Sequence, residues 1–220
     1  MVLKLHLHPL ASYCWKVLIA FYEKEIPFEP VVVDLMDEAS RSAFLNLWPL
    51  GKMPVLQDEE RGRTVPESSI IIEYIDRLYP ASPKLIPSDH DLALEVRLID
   101  RLHDLYVQDP MQRIVADRLR PAGDKDALGV RQAHAQLRTV YGVIEERLAL
   151  RCWAAGEFFS LADCAAMPAL YYADKVLPFA ANHPKTAAYL ARLLERPSVA
   201  RVLREAQPFL HMFPTEDQAI

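Results

Sequence analysis

The chain has 220 residues, enough for two small domains. Apolar residues make up 51% and charged residues 25%, the balance of an ordinary globular protein, and a net charge of −5 argues against a nucleic-acid binder, which needs a basic excess. No apolar run approaches the roughly 20 residues that cross a bilayer, and the three cysteines, Cys14, Cys152 and Cys164, stand at neither zinc nor CxxC spacing, so reduced thiols and no bound metal are expected.

Residues 2–7 alternate apolar and polar, which is a strand signal. The same alternation contains no cleavable leader pattern, so a cytoplasmic setting is expected. His6 and His8 share a face, but no third ligand stands near, and they read as half-exposed strand histidines. After the connection His8–Cys14, Trp15, Leu18, Ile19 and Tyr22 recur at helical spacing. Ser12 is placed to cap that helix; beside a helix N-terminus its hydroxyl could also donate to a ligand. Glu29–Val33 reads as a second strand and 37–47 as a short helix with Phe44 and Leu47 inward. Pro54–Gln57 and Arg63–Val65 read as short strands joined by a polar turn, and a helix from Glu67 to Leu78 closes an α/β unit with a mixed four-stranded sheet.

The proline-rich stretch Pro80–Pro87 marks the domain boundary. Beyond it the chain is helical. A long helix capped by Asp89 or Asp91 puts Leu92, Glu95, Leu98/Ile99, Leu102 and Leu105/Tyr106 on one side and extends past Pro110 over 111–119. A second covers 125–150 with Leu128, Gln132, Leu137, Val140/Tyr141, Ile144 and Leu148. The most apolar helix, 161–177, opens on a capping box, Ser160 to Asp163, with Pro168 in its first turns. Two more helices come near 184–195 and 198–207.

Two stretches carry the functional signal. Gly51-Lys52-Met53-Pro54-Val55-Leu56 is a turn into a buried strand; Pro54 cannot donate to a ladder, so it belongs on an edge or at a special peptide bond. Pro66-Glu67-Ser68-Ser69 before an apolar run is a helix start whose free N–H groups attract a carboxylate. The two lie close enough in sequence for one small, anionic, peptide-like ligand to touch both.

Taken together, these segments resemble the glutathione transferase superfamily. The resemblance covers nearly the whole chain and rests on Lys52-Met53-Pro54-Val55-Leu56 before a cis-proline, on the acid–serine start Glu67–Tyr74, and on Gly156-x3-Ser160-Leu161-Ala162-Asp163 in the second domain. The details are similar to bacterial members near the beta, theta and zeta classes. It implies an α/β thioredoxin-like N-terminal domain (1–79), a linker (80–88) and an all-α C-terminal domain (89–220). It further implies glutathione as co-substrate, a small hydrophobic electrophile, a detoxifying role, a homodimer, and no metal, nucleic acid or membrane.

By that resemblance Met53 offers its backbone to the cysteinyl unit beside Pro54, and Lys52 meets the glycyl carboxylate. Glu67 takes the γ-glutamyl ammonium and Ser68 the α-carboxylate. Asp100 or Asp104 crosses to a partner's γ-glutamyl amine. Tyr106, Met111 and Ile114, with Tyr171, line the electrophile site. The thiol-activating serine of theta-like and zeta-like members falls at Ala11, and the beta-type cysteine near Tyr13. Ser12, Tyr13 and Cys14 therefore stand as candidates, with Ser12 preferred. Thiol–disulfide exchange or peroxide reduction through Cys14 is one alternative activity. A non-catalytic glutathione- or partner-binding module is another.

Overall fold

In the computed structural model, which describes residues 2–215, the chain starts with strand β1 (Leu3–Leu7). Met1 and residues 216–220, expected at the outer ends of the two domains, lie outside the described residues. β1 buries Leu3, Leu5 and Leu7 and leaves Lys4 and His6 half-buried, as its alternation requires. Then come α1 (Ser12–Glu23), β2 (Glu29–Val32), α2 (Glu38–Leu47), β3 (Val55–Asp58), β4 (Arg63–Pro66) and α3 (Ser68–Leu78). The sheet order is β2-β1-β3-β4, with β1 parallel to β2 and the other two pairings antiparallel. Pro30 therefore sits on an edge strand, where a missing N–H costs no ladder bond. Leu3, Leu5 and Leu56 pack with the apolar faces of α1 and α3. On the other side of the sheet, Val55 packs with Phe44 of α2, and His6 stacks on the same ring.

The linker is clamped rather than loose. Lys24 Nζ donates to Asp76 Oδ1 and to the Pro83 carbonyl, both at 2.8 Å. Asp76 accepts from the N–H groups of Leu85 and Ile86, and Leu161 N–H donates to the Leu85 carbonyl. The helical half contains α4 (His90–Leu102), α5 (Asp109–Arg118), α6 (Ala127–Arg147), α7 (Leu161–Val176), α8 (Pro184–Leu194) and α9 (Pro197–Ala206). α7 is its axis, with all but three of its 16 residues buried. The fold is a thioredoxin-like α/β domain joined to an all-helical one.

α7 also fixes the loop before α1. Tyr172 Oη donates to the Leu10 carbonyl at 2.8 Å, and the Trp15 ring lies 4.9 Å from that of Tyr172. Trp15 Nε1 closes the loop on itself by donating to the Pro9 carbonyl at 2.5 Å.

Several expectations need correction. Pro168 lies in the middle of α7, not in its first turns. Leu128 and Gln132 of α6 face solvent, and Ala133 is buried instead. The long helix buries a different side from the one its leucines suggest. Ala93, Val96, Ile99, Asp100, His103, Asp104, Val107, Gln108, Met111 and Ile114 are inside, while Leu92, Leu98, Leu105 and Tyr106 are exposed. Polar residues on the buried side hide it from an apolar-pattern reading, and their charges are matched by Lys16 of α1 and by Arg101 of the same helix.

A second cause lies between α4 and α5, where His103–Gln108 winds as a π-helix. Pro110, at the start of α5, has no N–H to give the carbonyl four residues back, and its ring would press on that carbonyl. A π-turn opens the winding there and adds a residue to the repeat, which rotates everything downstream.

Candidate active site

The loop before α1, the turn before β3, the start of α3 and the π-helical turn enclose one cavity of about 680 Å³ between the two domains. Its walls include Ser12, Tyr13, Lys52, Met53, Pro54, Glu67, Ser68 and Asp104.

Ser12 is the first residue of α1, not its cap. Ala11 holds the cap position, and no side chain caps the helix there. The Ser12 hydroxyl is thus released from a capping role. It is nearly buried, and it accepts a 2.5 Å hydrogen bond from Gln108 Nε2. Tyr13 Oη donates to the Asp104 carbonyl at 3.4 Å. Burial, and then the Asp104 charge, push its pKa up, so Tyr13 is a neutral phenol at physiological pH. Cys14 is fully buried in the core and absent from the cavity wall. Desolvation pushes its thiol up to about 12, which removes it from thiolate chemistry at neutral pH.

Gly51 adopts φ +63°, a left-handed turn that side chains resist, and it leads into a cis Met53–Pro54 bond. Met53 N–H and C=O have no backbone partner among the described residues, so they are open to an extended ligand. Lys52 is exposed on the rim.

Across the cavity, Glu67 sits at φ 69°, a conformation costing about 1–2 kcal/mol for a residue with a Cβ. Its carboxylate makes no capping bond to α3. A plain capping role therefore does not account for it, and the residue stands in the cavity wall. Ser68 comes next at the first helical position, where backbone N–H groups lack partners.

Asp104 lies on the wall, but its carboxylate is already engaged. Lys16 Nζ reaches Asp104 Oδ2 at 2.7 Å, Asp100 Oδ1 at 2.5 Å and Ser69 Oγ at 2.9 Å. Arg101 bonds the same two carboxylates and Ser69 from the solvent side. Neither Asp100 nor Asp104 projects outward.

The expected electrophile residues are not brought to the cavity. Met111 and Ile114 are core, Tyr106 faces solvent, and Tyr171 packs edge-on against Tyr172 and tilted against Trp15. Leu10, Leu35, Met36, Leu105, Gln112 and Met212 line it instead. Four of these six come from loops or from beyond the last long helix, where periodicity carries no information. His8, Asp34 and Arg101 add charged or titratable groups to the wall. Among the described residues no group of three or more His, Cys, Asp or Glu is placed to hold a metal. His6 Nε2 is occupied by Gln57 Oε1 at 2.6 Å. No helix among the described residues is long and apolar enough to cross a membrane.

Comparison with known proteins matches this arrangement. The glutathione S-transferase N-terminal domain model fits residues 5–83 and the glutathione S-transferase C-terminal domain model fits residues 102–197. Glutathione S-transferase 3 of Zea mays is 32% identical over 208 residues, covering 91% of this chain and 93% of that one. A glutathione S-transferase of Pseudomonas putida is 27% identical over 218 residues, 96% of each. The crystal structure of a glutathione S-transferase from Methylobacillus flagellatus with GSH bound superposes with a TM-score of 0.83 at 30% identity, over 91% of this chain and 98% of that one. The chain belongs to the glutathione S-transferase family.

Proposed function

We propose that the protein conjugates glutathione to small apolar electrophiles by holding the tripeptide as its thiolate. Residues 1–79 act as the glutathione-binding domain, 80–88 as the linker and 89–220 as the helical domain that closes over the electrophile. The observation that carries this reading is the convergence of Ser12, Met53–Pro54 and Glu67–Ser68 on one cavity. Glutathione has an ammonium, two carboxylates and a thiol, and the wall offers a complement to each. Glu67 suits the ammonium. The Ser68 N–H and hydroxyl at the head of α3 suit the α-carboxylate. Lys52 suits the glycyl carboxylate, and Met53 pairs its backbone with the cysteinyl unit. Ser12, at the head of α1, donates its hydroxyl proton to sulfur.

A free thiol has a pKa near 8.5, and a charge-assisted hydrogen bond contributes about 1.5–3 kcal/mol, enough to move it by one to two pH units. Ser12→Ala is therefore expected to lower kcat/KM for a chloronitrobenzene at neutral pH by about tenfold to a hundredfold, with the rate recovering above pH 8. Retained turnover in that variant would remove Ser12 from the chemistry. Disulfide exchange through Cys14 loses its support, since that thiol is buried and protonated.

A homodimer is part of the proposal. Leu94, Leu98, Leu105 and Tyr106 form a face along the long rod in which each is at least half exposed, more apolar surface than a lone helix leaves in water. Leu98→Glu places a charge in both halves of a two-fold interface and is expected to shift sedimentation from dimer to monomer at micromolar concentration. An unchanged sedimentation coefficient would place the interface elsewhere. The bacterial class assignment, near the beta, theta and zeta forms, is supported by the relative from Pseudomonas putida; relatives from maize and tobacco stand beside it, and Ser12 lies one position past the place where the theta-like and zeta-like serine falls. A cytoplasmic setting is supported by three unpaired thiols, and a detoxifying role follows from the proposed conjugation of small apolar electrophiles.

A further inference from the structure

Gln108 closes the π-helical turn, is almost fully buried, and stands behind the cavity wall rather than on it. Its Nε2 lies 2.5 Å from Ser12 Oγ, across the domain boundary and 96 positions away in sequence. Its Oε1 is buried without a hydrogen-bond partner. An orphaned amide oxygen costs about 1–3 kcal/mol, so the side chain is held for what its other end does.

A serine hydroxyl has one proton and two lone pairs. With an amide N–H on one lone pair, Ser12 keeps its proton, and no acceptor among the described residues takes it. The π-turn makes the contact available. Its extra residue rotates the helix by about 100° relative to an uninterrupted one, carrying position 108 inward with 104 and 107.

We propose that Gln108 is a positioning residue for Ser12: by donating to Oγ it holds the Ser12 proton pointing into the cavity, toward the glutathione sulfur. This rests on the proposed role of Ser12. The resulting chain, N–H to Oγ and O–H to sulfur, also strengthens the second bond by polarisation. The titratable groups around the pair are His8 and Tyr13 beside α1, Asp34, Lys52 and Glu67 across the cavity, and Asp104 one turn and Arg101 two turns before Gln108. None of them bonds to Ser12 Oγ.

The test is a pH titration of glutathione bound to the enzyme, read by ultraviolet absorbance of the thiolate, in the wild type, Gln108→Met and Gln108→Glu. An ionised glutamate has no donor and can only accept, so at the alkaline end of the titration it would take the Ser12 proton away from sulfur. Gln108→Glu is expected to raise the midpoint by about one pH unit, a tenfold loss of thiolate below it. Gln108→Met, which leaves the proton undirected, should raise it by less. Glutathione affinity, measured by calorimetry on the same samples, should change less than threefold. Both variants are first compared with wild type by circular dichroism; if the buried glutamate does not fold, the methionine variant decides.

A wild-type midpoint reproduced by the folded variants would overturn the inference while leaving the transferase reading intact. The same holds if Gln108→Glu alone is unchanged across the alkaline range where the glutamate is ionised, since the amide would then already be accepting from Ser12. Absence of a bound thiolate in the wild type would overturn both readings together.

Discussion

Lys16→Met is expected to lower the free energy of unfolding by about 3–5 kcal/mol, the usual cost of removing one partner from a buried ion pair. Lys16 is 1% exposed, and its ammonium lies between Asp100 Oδ1 and Asp104 Oδ2 with Ser69 Oγ as a third partner. Methionine fills nearly the same volume, so little cavity opens and the loss is electrostatic. Arg101 remains beside both carboxylates, but its side chain is 47% exposed and its attraction is screened by water. Two buried acids would then share one half-solvated cation. Urea unfolding at fixed protein concentration measures the difference, and a loss under about 1 kcal/mol would mean that the cluster relaxes into water.

The pH dependence has a definite sign. Burial, with the Asp100 charge adding to it, raises the Asp104 pKa despite Lys16. A carboxyl with a raised folded pKa binds more protons folded than unfolded, so its contribution to stability falls as pH rises between the two values. Without Lys16 the raised pKa climbs further. The deficit of the variant relative to wild type should therefore narrow as pH is lowered from neutrality toward Asp104 protonation.

The same cluster shows where the sequence was readable and where it was not. The sheet domain was legible because its elements obey simple periods: odd positions of β1 go inside, Phe44 and Leu47 mark the inner side of α2, and Pro30 and Pro54 stand where a missing donor is tolerated. The long rod was illegible because its buried side is built from Asp100, His103, Asp104 and Gln108, which hydropathy places outside. Only the fold reveals that Lys16, on α1, meets them. The leucines that looked like core form the exposed face instead.

The binding residues were legible by their backbone chemistry. Turn glycine, proline and an acid–serine helix start each force a local geometry, and those geometries meet at one cavity. The apolar lining was not, because loops at 34–36 and the segment near Met212 reach the cavity through tertiary packing. Cys14, in the first turn of α1, was open to two readings, a stabilised thiolate or a buried structural thiol. That side of the turn faces α7, and desolvation outweighs the helix N-terminus, so the buried thiol is the one that holds. Gln108 had no local signal except Pro110, which marks a winding defect without saying what it turns inward.

Asp163→Ala is expected to be as damaging as the loss of Lys16, about 4–6 kcal/mol, by a different route. Asp163 is fully buried at the third position of α7. Oδ1 accepts from Ala154 N–H at 2.8 Å and from Tyr189 Oη at 2.6 Å. Oδ2 accepts from Ser160 N–H at 2.9 Å and from Ser160 Oγ at 3.0 Å. One carboxylate thus joins the loop before α7, the cap of α7 and the middle of α8. Alanine strands the Ala154 and Ser160 N–H groups and the Tyr189 hydroxyl together, at about 1–3 kcal/mol for each group left without a partner. Asparagine keeps one acceptor but turns a donor toward donors, so Asp163→Asn should recover only part of the loss. Because α7 carries Tyr172, which holds the Leu10 carbonyl in the loop before α1, the damage reaches the cavity. Thermal unfolding and conjugation activity of Asp163→Ala should therefore fall together. Full activity alongside a lowered melting temperature would show that the loop before α1 keeps its shape without the α7 cap, and a melting temperature equal to wild type would refute the energetic argument itself.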